Sequence, residues 1–120
     1  MRKILVTLIV LLFSHPLIAK DKEAPLSEMQ ALDMVIQKIK DDALYSAWTK
    51  MECLSFLTEE VSDSSIDIAI RENHKVNCPG DPVTAPIVDR FRVLRLTKKL
   101  LWYNVIDDAY IDYNAKDIRR

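Results

Sequence analysis

The chain has 120 residues, with 17 basic and 18 acidic side chains for a net charge of -1, and 49% of it is apolar. That balance excludes a nucleic-acid partner, which would need a basic stripe along the phosphates. A chain this long builds one domain around one core.

Residues 1–19 open with Arg2 and Lys3, continue as an apolar run from Ile4 to Phe13, and end in a polar, proline-containing stretch that puts Leu17 and Ala19 at the positions read by signal peptidase. This mostly apolar run, interrupted only by Thr7, falls short of the roughly 20 residues that cross a bilayer as a helix. The expectation is a cleaved leader, no stable membrane span after cleavage, and a periplasmic or secreted product. Without Arg2 and Lys3 the net charge becomes -3. Residues 20–26 read as a flexible leader, and residues 27–120 as a single α+β domain.

Ser27 stands three residues before Gln30, the spacing of a capping box, so a helix is predicted to begin there. Leu32, Val35, Ile36, Ile39, Ala43, Ala47 and Met51 recur at helical spacing, with Asp33, Gln37, Lys38, Lys40 and Asp41 elsewhere around the wheel. This predicts one amphipathic helix running to about Lys50. The period then changes to two. Leu54, Phe56 and Thr58 alternate with Ser55 and Leu57, Ser62 to Ser65 supply a turn, and Ile66, Ile68 and Ile70 alternate with Asp67, Ala69 and Arg71. Further strands are predicted over Val88 to Leu94, with Phe91 and Val93 inward, over Leu100 to Val105, and around Tyr110 to Tyr113. The turn near Thr97 and Lys98 has no glycine to fix its type. The fold class is therefore α+β: one N-terminal helix packed on an antiparallel sheet of four or five strands, with one disulfide.

Cys53 and Cys78 are the only cysteines. In an exported chain they are expected to pair. Their spacing is not that of a redox motif, and with His74 they are too few for a structural metal site. Asp107, Asp108 and Asp112 lack the spacing of a calcium loop and read as an acidic turn. No metal and no cofactor is implied.

The stretch from His74 to Val93 holds the one glycine of the chain, Gly80, and three of its five prolines, Pro79, Pro82 and Pro86. Prolines at this spacing hold the connection between two hairpins extended, and Cys78 ties its start down. A stiff loop presents side chains at little entropic cost on binding. Its candidates for partner contact are Asp81, Thr84 and Asp89, and Trp102, Tyr103 and Tyr110 join them if the sheet register leaves aromatics on the face away from the helix. Their competing reading is structural: a turn cap for Asp81, a solvated strand position for Asp89, and cross-strand packing for the aromatics. The functional expectation is a small exported binding protein, an inhibitor or immunity factor for an envelope enzyme, with an envelope protein or a glycan as partner. The alternative is a small envelope hydrolase using His74 with Asp81 or Asp89, although no nucleophile context accompanies them.

Overall fold

The computed structural model describes residues 24–118. The expected leader over residues 1–19 lies outside the described residues. Among the described residues no helix is long and apolar enough to cross a membrane. The chain forms α1 (Glu28–Asp41), a 3-10 turn (Met51–Cys53), five strands β1 (Leu54–Val61), β2 (Ser65–Glu72), β3 (Ile87–Leu94), β4 (Leu100–Asn104) and β5 (Ala109–Asp112), and a terminal turn of helix α2 (Ala115–Ile118). The strands make one antiparallel sheet in the order β1-β2-β3-β4-β5, and α1 packs against β1 and β2. The α+β class is thus the observed one.

α1 starts as its sequence requires. The Ser27 hydroxyl accepts from the Gln30 N–H at 3.2 Å, and the Gln30 side chain accepts from the Ser27 N–H at 2.9 Å. Its apolar stripe of Ala31, Val35 and Ile39 is buried against Ile66, Ile68 and Ile70 of β2 and Phe91 and Val93 of β3. The residues between these on β2 and β3 face the other way, giving the sheet an outer face free of helix.

The helix ends at Asp41, well short of the expected end near Lys50. The Ala43 N–H bonds the Lys40 carbonyl at 3.1 Å and the Leu44 N–H bonds the Ile39 carbonyl at 3.1 Å, the paired bonds of a Schellman motif. Its left-handed residue is Ala43, with φ 47°. Alanine conceals the stop that glycine would have announced, and its Cβ costs about 1 kcal/mol in that conformation. Ala43→Gly is therefore expected to raise stability by roughly 0.5 to 1 kcal/mol, read as a higher urea midpoint at unchanged slope. A lower midpoint would show that the methyl group matters more to packing than the backbone strain.

The strands fall within one residue of the predicted spans for β2 to β5. β1 carries a bulge between Thr58 and Glu60. The turn between β3 and β4 solves its lack of glycine by placing Lys98 at φ 60°. The leader is less loose at its end than expected: the Leu26 N–H bonds the Arg95 carbonyl at 3.0 Å, and Arg95 Nε returns to the Leu26 carbonyl at 2.8 Å.

Candidate functional site

Cys53 and Cys78 are joined in a disulfide with their Cα atoms 5.5 Å apart. The bond attaches the loop between β2 and β3 to the start of β1. Three further contacts stiffen that loop. The Asp81 carboxylate accepts from the Val83 N–H at 3.0 Å, the Thr84 hydroxyl donates to the Asp81 carbonyl at 3.1 Å, and Arg71 Nη1 donates to the Ala85 carbonyl at 2.8 Å. Asp81 and Thr84 are exposed, yet both hold the turn, so the structural role weighed for Asp81 is real.

His74 is the centre of the loop, with only 7% of its side chain exposed. Nδ1 lies 2.5 Å from the Asp81 carbonyl oxygen and Nε2 lies 3.3 Å from Glu72 Oε2. Neither a carbonyl nor a carboxylate oxygen can donate, so both ring nitrogens are served best when both carry protons. The pKa is raised from the ordinary 6.5, first by the Asp81 carbonyl and then by Glu72, against the opposing effect of burial. The ring also explains Gly80, whose φ is +124° and where any Cβ would overlap the imidazole. The single glycine is placed where a histidine lies flat against the backbone.

A raised folded pKa fixes the sign of the pH response. The stabilisation from His74 is fully present below the unfolded value of 6.5 and is lost as pH rises through the higher folded value. Amide exchange at Val83 and Thr84, corrected for intrinsic rates, should accelerate across that window, and His74→Gln should abolish the step. A pH-independent loop would show that the imidazole is held neutral.

Asp89 is not the exposed loop-side group expected of it. It is 7% exposed and projects into the core, where its carboxylate accepts from Tyr45 Oη at 2.6 Å and from Trp102 Nε1 at 2.9 Å. Trp102, 8% exposed, likewise lies inside. Both side chains share the inward phase of Phe91 and Val93 through the β3–β4 register, in which Phe91 faces Trp102. Neither is therefore available to a partner.

Tyr103 and Tyr110 lie on the outer face. They are directly paired across β4 and β5, edge to face with centroids 5.3 Å apart. Arg92 stacks over Tyr110 at 4.0 Å while its guanidinium binds both oxygens of Asp67 at 2.6 and 2.9 Å. The Tyr103 hydroxyl bonds Asp108, and Arg90 pairs with Glu59 at 2.9 Å. Of the acidic turn, Asp107 faces Asn104, Asp108 faces Tyr103 and Asp112 faces Lys99, so the three carboxylates do not converge.

The structure also exposes residues that sequence reasoning passed over. Val76 (101%), Val83 (87%), Val105 (71%) and Ile106 (92%) are large apolar side chains in solvent. All four sit at one end of the sheet, where β2 ends, β3 begins and β4 turns into β5. Trp48, in the segment leading to β1, is partly exposed at the same end. The available signal was apolar residues inside turn segments, such as Val83 between Pro82 and Thr84, and Val105 and Ile106 before Asp107.

His74 thus meets Asp81 through its backbone carbonyl and Glu72 through its carboxylate, while Asp89 is engaged by Tyr45 and Trp102. Comparisons with family models, with curated proteins and with solved structures gave no match.

Proposed function

We propose that this chain is a small exported, non-enzymatic binding protein of the inhibitor or immunity-factor kind, and that it takes a protein partner at the loop end of its sheet. The observation that carries the reading is the near-complete exposure of Val76, Val83, Val105 and Ile106 together at that end. Apolar side chains clustered in solvent mark interaction surfaces more often than ordinary surface. Val76 and Val83 ride on a loop fixed by the disulfide, His74 and prolines, and Val105 and Ile106 on the short turn between β4 and β5, so little ordering entropy opposes binding. Tyr103 and Tyr110, beside Arg92, extend the surface onto the outer face with residue types favoured at interfaces. Export is supported by the sequence of residues 1–19 and by the disulfide, a bond that persists in oxidising compartments.

Photo-crosslinking in producing cells tests the proposal. A benzophenone side chain at position 83 should give one discrete adduct. The same group at position 96, where Leu96 is also exposed (65%) but lies at the opposite end, should give none. Adding Ile106→Asp should erase the adduct while leaving the melting temperature unchanged. The same adduct pattern at both positions, or none at 83, would sink the assignment of this surface.

A further inference from the structure

A second site lies at the same end of the sheet but on its helix side, in the cleft between the end of α1 and the start of β1. Because the Schellman stop turns the chain aside at Ala43, residues 43–50 do not fill the space beneath them. They fold over it: the Trp48 and Thr49 N–H groups both bond the Tyr45 carbonyl, at 3.1 and 3.0 Å. A hollow of about 370 Å³ remains, within the range of small-molecule sites. Its floor is built by Ile39, Leu44, Tyr45 and Leu54, all buried members of the core.

The mouth differs in character from the floor. Lys40 and Lys50 line it, and both are exposed. Among the described residues neither has an ion-pair partner, and of the neighbouring carboxylates Asp41 and Asp42 bond other side chains. Asp41 accepts from Gln37 at 2.8 Å, and Asp42 accepts from Tyr113 at 2.7 Å and pairs with Lys38 at 3.6 Å. The negative end of the helix is also covered, since the Lys38 carbonyl is taken by the Asp42 N–H, the Ile39 carbonyl by the Leu44 N–H and the Lys40 carbonyl by the Ala43 N–H. Two ammonium groups without an ion-pair partner among the described residues, over an apolar floor, select one kind of ligand. We infer that this cleft binds a single-chain anionic amphiphile, the alkyl chain lying on Ile39, Leu44 and Leu54 and the anionic head between Lys40 and Lys50.

The inference is independent of the loop-end surface and is tested without it. The purified protein is titrated with decanoate and with decyltrimethylammonium, both below their micelle concentrations. Trp48 fluorescence is a local reporter, because its ring lies edge to face with Tyr45 at 5.9 Å. Backbone chemical shifts locate the ligand. Decanoate should bind saturably, shift residues 39–54, and be preferred over the cation by about tenfold, the scale set by two partly exposed ion pairs. Lys40→Gln with Lys50→Gln touches only exposed side chains and should level the two affinities. Equal affinity of the two amphiphiles for the unmodified protein, shifts confined to the loop end, or no saturable binding would each overturn the assignment.

Discussion

Asp89→Ala should lower the unfolding free energy by about 2 to 5 kcal/mol, since it leaves two buried donors without an acceptor at about 1 to 3 kcal/mol each. The carboxylate is shared by two donors from different elements. Tyr45 comes from the connection after α1 and Trp102 from β4, while Asp89 itself is on β3. Truncation removes the acceptor from both donors at once and leaves a void between them. Asp89→Asn separates charge from geometry. Its carbonyl oxygen can accept from Trp102 and its amide can donate to the Tyr45 oxygen, so only the charge assistance is lost, and a milder cost of about 1 to 2 kcal/mol is expected. Urea unfolding followed by tryptophan emission measures both. If alanine costs less than about 1 kcal/mol, the residue is not a core keystone and its surface role returns to consideration.

Asp89 also shows where legibility in the sequence ended. The alternation that sent Phe91 and Val93 inward sends Asp89 inward as well, since all three are two residues apart. Its charge suggested solvent, and the donors that make burial tolerable come from Tyr45 and Trp102, 44 and 13 residues away. No local pattern carries that information. The strands were legible because their period of two is enforced by the sheet itself, residue by residue. The end of α1 was not, because a Schellman stop is a backbone event that Ala43 can adopt at a cost without advertising it. Tyr103 follows from Trp102 by parity and must face outward, but its pairing with Tyr110 depends on the register of a turn whose left-handed residue is Asp108, at φ 47°. Parity gave the face, and only the register gave the neighbour.

The second large effect concerns the covalent frame. Cys53→Ser with Cys78→Ser should lower stability by about 3 kcal/mol, because the bond closes a loop across 25 residues of the unfolded chain. For a domain of this size that corresponds to a fall of roughly 10 to 20 °C in melting temperature. The native contacts suggest that the loss will be divided unevenly. β1 and β2 are already held by their own ladder from Leu54–Glu72 onward, and the Asn73 N–H bonds the Cys53 carbonyl at 2.8 Å. The loop beyond them has fewer anchors: His74 on Asp81 and Glu72, and Arg71 on Ala85. Once the disulfide is gone, the imidazole carries a larger share of loop order. The step in amide exchange at Val83 and Thr84 as pH rises through the His74 pKa should therefore be larger in the double-serine variant than in the parent. If the variant melts lower but its loop exchange keeps the parent's pH dependence, the disulfide acts only on the unfolded chain, and the loop's rigidity must come from its prolines and turns.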